Sequence, residues 1–409
     1  MTMLRRCLLL AALCLATPSL SASKVAAETT MPPDVQQRIA RVTACLTTPV
    51  VEKDGPRACR TLQERMAAAH VPGVSVAVIH NGDIAWAQGF GVMRVGGPPV
   101  TAATLFQAGS ISKPVAAMGA LRLVQEGKLS LDRDVNQELR SWKIPPSAAA
   151  PGAVATLREL LTHTAGLTVV GFPGYAAGAP VPTLVQILNG EPPANTAPIR
   201  IDTPPGRAWR YSGGGYTVMQ QLMIDVSHQD FPTLMHQTVL APIGMSASTY
   251  DQPLPEPLRA GAATPYNNDG TPLPGGFHTY PEMAAAGLWS TPTDLARFAI
   301  EIQRSLRGEA NHVLSAEMTR QMLVAGLGHF GLGLLIGGAS DDQYFAHSGV
   351  NEGFENMLVA YRQSGDGAVV MTNARGGLAL AEAVVRSVAS VYDWPDFQPV
   401  MRTAAEQQP

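Results

Sequence analysis

Gly109-Ser110-Ile111-Ser112-Lys113 decides how this chain is read. It stands where an extended-looking segment, Thr104-Leu105-Phe106-Gln107-Ala108, gives way to Pro114–Gln125, which carries Ala, Met, Leu and Val at helical spacing. The spacing predicts a helix from the serine to about Gly127. Residues three apart share a helix face, so Ser110 Oγ and Lys113 Nζ are expected to approach each other. The positive field of a helix N-terminus, together with burial, disfavours the charged ammonium. A lysine held neutral can take the proton of a hydroxyl that is a poor nucleophile at its own pKa. The spacing is not sufficient by itself, because Ser21-Ala22-Ser23-Lys24 has it too. The competing reading of Ser110 is an ordinary helix serine beside a solvated lysine, and the rest of the chain must separate the two.

The second copy is explained first. Arg5 and Arg6 form a basic start, Leu8–Leu20 is an apolar run too short to span a bilayer comfortably, and small residues follow. Residues 1–27 are therefore expected to be a signal peptide, with Val25-Ala26-Ala27 or Ser21-Ala22-Ser23 as the cleavage site and twin-arginine export as one route. The alternative is an uncleaved anchor. Cleavage would place the protein in the periplasm or outside the cell, and no later stretch reads as a stable membrane span. It would also remove Arg5, Arg6 and Lys24 and no acid, leaving 26 basic residues against 32 acidic ones, a net charge of −6. No basic patch stands out, so nucleic acid is not an expected partner. Of the four cysteines, Cys7 and Cys14 leave with the leader. Cys45 and Cys59 remain, either as a disulfide, which an oxidising compartment favours, or as two unlinked buried thiols.

The 409 residues, 46% hydrophobic and 15% charged, suffice for a large core and exclude a disordered chain. Val74–His80 and Ile84–Gly91 read as strands joined at Asn81-Gly82, a hairpin signal. Thr156–Thr162, Tyr216–Ser227 and Phe231–Leu240 read as helices, and Thr293–Arg304 as another, capped at Thr291 or Thr293. Strand signals return at Phe330–Ile336, Gln343–His347, Phe354–Tyr361 and Gly367–Asn373, ahead of a last helix at Leu378–Tyr392. Strands at both ends with helices between suggest a split sheet domain with a helical insertion. Glycine-rich Gly326–Gly338 alternates too regularly for a phosphate loop and is expected to serve close packing. There is no H-E-x-x-H, Cys/His cluster, Walker-type loop or G-x-S-x-G elbow, so neither a metal nor an organic cofactor is expected.

Two further stretches join the serine. Tyr211-Ser212-Gly213 follows Pro205-Gly206-Arg207 and precedes a helix, and His347-Ser348-Gly349 lies in a strand-like segment. In this order the three motifs resemble those of the β-lactamase/penicillin-binding serine hydrolases. The chain is most similar to the branch holding class C β-lactamases, D,D-carboxypeptidases and family VIII esterases, from about residue 34 to residue 392. The resemblance implies an α+β fold of two subdomains, an antiparallel sheet flanked by helices plus a mainly helical insertion. Residues 28–392 would form the hydrolase domain, with 28–128 and 285–392 in the sheet subdomain and 129–284 in the helical one. Residues 393–409 would be a polar, frayed tail.

The resemblance also implies roles. Ser110 would be the acylated nucleophile and Lys113 its proton partner. Tyr211 would assist proton transfer, and either it or Lys113 would be the base. His347 would orient Tyr211 and the substrate, and Gly349 would let the strand approach the acyl group. The N–H of Val350 would join that of Ser110 as an oxyanion hole. Leu160–Leu167 and Asn351-Glu352-Gly353-Phe354 are expected to be mainly architectural, with His163 a hydrogen-bonded helix-end residue. Relatives read Tyr-x-Asn where this chain has Gly213, and Lys-Thr-Gly or His-x-Gly where it has His347; no lysine follows Lys143. The expected function is a secreted serine hydrolase acting through an acyl-enzyme on a small-molecule or peptide substrate, esterase- or D,D-peptidase-like. An efficient β-lactamase is the alternative, and a penicillin-binding sensor with little turnover is the alternative of another class. Oligomeric state is open.

Overall fold

The central sheet is built from β1 (Gly73–His80), β2 (Asp83–Gly91), β3 (Leu335–Gly337), β4 (Tyr344–Asn351), β5 (Phe354–Tyr361) and β6 (Gly367–Thr372). The computed structural model describes residues 31–46, 48–52, 59–309 and 311–402. The expected signal peptide lies outside the described residues. The strand order is β2-β1-β6-β5-β4-β3, and every neighbouring pair is antiparallel. Asn81 and Gly82, at φ 56° and 77°, make the two-residue β1–β2 turn, which needs positive φ at both positions.

Five longer helices complete the frame: α1 (Pro33–Ala44), α2 (Ser112–Gln125), α3 (Gly213–Ser227), α4 (Pro292–Arg307) and α5 (Gly377–Val391). Both sheet faces are covered. Val74, Val76 and Val78 of β1, with Val359, Tyr361, Ala368 and Val370, pack against α1 and α5. The alternate residues Ala77, Ile79, Leu358, Ala360, Val369 and Met371 join a larger core shared with α2, α3 and α4. Successive strand side chains point to opposite faces, so a strand buried on both reads as an unbroken apolar run. This is the α+β architecture expected from the sequence.

The insertion is held by short helices that begin on explicit caps. Thr156 with Glu159 and Thr183 with Gln186 form capping boxes ahead of Leu157–Leu161 and Leu184–Asn189. Thr291 caps α4, its hydroxyl accepting the Asp294 N–H at 3.1 Å. The Phe231–Leu240 helix is α-helical to Met235 and widens into a π turn over His236–Leu240. Loops 168–200 and 251–282 are tied together, with Tyr175 and Thr279 exchanging two backbone hydrogen bonds of 2.8 Å.

Two expectations are corrected. Phe330–Ile336 is not one strand: only Leu335–Gly337 pairs with β4. Gly331 donates to Leu334 O at 2.8 Å and lies so close to Met322 O that a Cβ there would sit 2.4 Å away, so the glycines serve a close-packed turn. The tail is not frayed as far as it is described: Val400–Arg402 pairs in parallel with Val50–Glu52, and Trp394 is buried. The Cys45–Cys59 disulfide is formed, with a Cα–Cα distance of 4.9 Å. Among the described residues, no helix is long and apolar enough to cross a membrane, and no group of His, Cys, Asp or Glu side chains is arranged to hold a metal.

Candidate active site

Ser110 sits in a single 3₁₀ turn, Gly109–Ile111, that runs directly into α2. The turn is clamped from three sides. Phe106–Gln107 pairs with Trp289–Ser290. The buried Asn351 amide donates to Gln107 Oε1 at 2.9 Å and to Ala286 O at 3.0 Å. The Ser112 hydroxyl donates to Gly109 O and accepts the Leu288 N–H at 3.0 Å. Asn351 is architectural, as expected, and its architecture belongs to the site: it ties the end of β4 to the nucleophile turn and to the Met283–Ala286 segment. Glu352 pairs with Arg375.

Within this frame Lys113 Nζ lies 2.9 Å from Ser110 Oγ and donates to Ala285 O at 2.8 Å. Lys113 is buried, and burial brings its pKa down to about 7. A neutral amine has two N–H donors and one lone pair, so with Ala285 O accepting one N–H, the lone pair can face the serine hydroxyl. Tyr211, from the loop ahead of α3, has its side chain beside that of Ser110, and burial raises its phenol above the ordinary value. Lys113 Nζ also stands 5.0 Å from the centroid of the Tyr211 ring and 5.8 Å from that of Tyr216. Tyr216 is pinned beneath, donating to Leu161 O at 2.9 Å.

His347, on β4, is buried with its ring centroid 6.1 Å from that of Tyr211. Burial first, and then the Lys113 charge, lowers its pKa to about 3, so the ring is neutral. Its Nδ1 proton goes to Ser348 O at 2.5 Å, which leaves Nε2 as an acceptor without a partner among the described residues. Gly349 passes so close to the nucleophile turn that a Cβ there would meet Ala108 O at 1.9 Å. Gly109, at φ 56°, lies against Val350 N, 2.6 Å from where its own Cβ would stand. Val350 N is thereby packed against the turn that carries Ser110, itself in the first turn of a helix, where donors lack intrahelical partners. Lys113 thus reaches the Ser110 hydroxyl, Gly349 and Val350 pack on the turn that carries it, and Tyr211 and His347 stand alongside, although residues as far apart as 110 and 350 had to be folded together.

The spacing of motifs missed more than it found at three positions. His163 is the hydrogen-bonded helix-end residue expected, but its contact with Tyr211 was not foreseen: in the left-handed region at φ 60°, it accepts the Ser212 N–H on Nδ1 at 3.1 Å and stacks 4.2 Å from the Tyr211 ring. Burial, with the charge of Lys113 behind it, holds it well below the usual histidine pKa. The signal was present in Thr162-His163-Thr164 but carried no link to Tyr211. The Ala285 carbonyl and Phe172, whose ring abuts Gly213, left no mark in the sequence.

Comparisons with known proteins identify the family. The Beta-lactamase family model matches residues 59–392. The chain belongs to the beta-lactamase family. As a member it is a serine hydrolase. It is 26% identical to penicillin-binding protein 4 of Amycolatopsis lactamdurans, over 78% of this chain and 85% of that one. It is 29% identical to esterase EstB of Burkholderia gladioli, over 49% of this chain and about half, 52%, of the esterase. Among solved structures, the octameric penicillin-binding protein homologue from Pyrococcus abyssi superposes with a TM-score of 0.69 at 23% identity, covering 83% of this chain and 77% of that one. D-alanine carboxypeptidase AmpC from Burkholderia cenocepacia does so with a TM-score of 0.66 at 19% identity, covering 87% and 99%. The structural likenesses establish the fold, as the resemblance of motifs led one to expect.

Proposed function

We propose that this beta-lactamase family member is an exported hydrolase that works through an acyl-enzyme on Ser110, with esters or D,D-peptide-type amides ahead of β-lactams as substrates. The observation that carries the reading is Lys113: a buried amine 2.9 Å from Ser110 Oγ, with its pKa lowered to about 7. Tyr211 stands beside the same serine with its phenol shifted the other way, so Lys113 is the group able to take the proton at neutral pH. Ser110 Oγ attacks the substrate carbonyl as its proton passes to Lys113, and the N–H groups of Ser110 and Val350 take the developing oxyanion. The tetrahedral species collapses, the bond from the carbonyl carbon to the leaving group breaks, and the proton is returned through Tyr211 to that group. Water then attacks the acyl carbon by the reverse relay, releasing the acid and restoring Ser110. His347 orients Tyr211 and the substrate.

Support for export comes from the leader-like residues 1–27 and the disulfide. Gly213 places efficient β-lactam turnover below the other activities, because position 213 offers no side-chain amide. The deciding experiment is intact-mass spectrometry after exposure to esters, D-Ala-D-Ala peptides and β-lactams, paired with steady-state assays. The expected result is a transient acyl adduct on Ser110, sustained turnover of at least one ester or peptide, and loss of both in Ser110→Ala. Unchanged hydrolysis in Ser110→Ala and Tyr211→Phe would refute the site. A stable adduct with a burst and no turnover would favour the sensor.

A further inference from the structure

Beside Tyr211 the site is walled by a loop that takes no part in the chemistry above. Phe172 fills the space into which any side chain at position 213 would project: a Cβ on Gly213 would stand 2.9 Å from Phe172 Cε2 and 3.0 Å from Val170 O. The loop is strapped to the start of α3 by its backbone. Val170 O accepts the Gly213 N–H at 2.9 Å, and Val169 O accepts the Gly214 N–H at 3.0 Å. The Gly215 N–H donates to Ser212 Oγ at 3.1 Å, and that hydroxyl donates to Thr168 O at 2.9 Å. The first N–H groups of a helix are ordinarily its free donors. Here those of residues 213–215 are all consumed, so the start of α3 offers a substrate no N–H. What the wall offers instead is apolar: the half-buried Phe172 ring, with Val170 64% exposed on the same loop and Trp209 38% exposed two residues before Tyr211.

We propose that Phe172 is a specificity-determining residue, and that the substrates are neutral esters whose acyl group carries an aromatic or branched apolar body next to the scissile carbonyl. This rests on the reading of Ser110 as an acylated nucleophile and narrows it. An apolar body gains burial and an aromatic contact on Phe172. An acylamino group pressed to the Phe172 ring loses water and gains no hydrogen bond from that ring or from the consumed N–H groups of residues 213–215, and an unpaired buried amide is disfavoured by roughly tenfold to a hundredfold. Of the substrate classes above, peptides and acylamino β-lactams are thereby disfavoured and simple esters are left.

The test compares kcat/KM for the p-nitrophenyl esters of acetate, phenylacetate and N-acetylglycine, with the full chain and its Phe172→Ala, Phe172→Leu and Phe172→Ala/Gly213→Asn variants. Wild type should prefer phenylacetate over N-acetylglycinate by about tenfold or more. Phe172→Ala should lower the phenylacetate-to-acetate ratio by about tenfold, with Phe172→Leu in between. The double variant, which gains room and a carboxamide, should shift preference toward N-acetylglycinate. Phe172→Leu keeps the wall filled, so it reads the effect even where alanine disturbs folding. Equal losses on all three esters in both single variants, or an unchanged ratio, would overturn the role of Phe172 while leaving the Ser110 reading intact. Absence of any acyl adduct on Ser110 with all three esters would overturn the Ser110 reading, and this inference with it.

Discussion

Lys113 carries the sharpest consequence at the scale of a single residue. With its pKa near 7, the ammonium form predominates below that pH and cannot accept the Ser110 proton. The rate constant kcat/KM on a neutral ester is therefore expected to rise about tenfold per pH unit below 7 and to level off above it. A profile flat from pH 5 to 8 would remove Lys113 as the base. His163 stacks on Tyr211, and we expect it to act through that ring as a positioning residue. His163→Asn keeps a residue that tolerates the left-handed backbone but withdraws the ring stacked on Tyr211. We expect kcat to fall at least tenfold with KM changed little, and Tyr211→Phe to add little loss on top. Equal losses in kcat and melting temperature, with no shift in the pH profile, would point to a merely structural role. The Ser110–Lys113 pair was legible because helical periodicity is local. The state of the amine was not, since its desolvation comes from side chains contributed by α3, the Met283–Ala286 segment and the sheet.

At the scale of elements, the approach of β4 to the nucleophile turn is what would assemble the proposed oxyanion donors. Gly349→Ala would put a methyl 1.9 Å from Ala108 O, and backbone on both sides resists. The strand must move outward, drawing the Val350 N–H away. The expected cost is about 10²–10³ in kcat, measured as deacylation and acylation rates on a p-nitrophenyl ester. Activity within a few-fold of wild type would show that Val350 is not a donor. Element boundaries were legible where the backbone is capped locally: Thr291 before α4, the hairpin at Asn81-Gly82, the capping box at Thr156. They failed at Phe330–Ile336, where alternating glycines resemble a strand but close a turn against Met322 O.

Over the whole molecule, two features set stability rather than rate. Glu282 is fully buried with neither carboxylate oxygen partnered by a side chain or backbone N–H of the described residues outside its own, and burial raises its pKa from 4.5 to about 8. The folded state therefore holds a proton that the unfolded chain releases between those values, and stability falls as pH rises through that window. Glu282→Gln should flatten the decline, seen as a smaller loss of melting temperature between pH 5 and pH 8 than in wild type. The Cys45–Cys59 disulfide closes a loop with a sequence separation of 14, so its removal by paired Cys→Ser substitution should cost about 3 kcal/mol in denaturant unfolding. What the sequence determined alone was local: the strand and helix periods, the caps, the hairpin, and a serine and lysine one turn apart. Family membership was legible because three such local motifs recur in one order. The tertiary structure alone decided which carbonyl holds Lys113, that His163 stacks on Tyr211, and that Phe172 closes the space beside Gly213. Those relations join residues tens to hundreds apart, and they arise from packing and desolvation, which no stretch of sequence contains by itself.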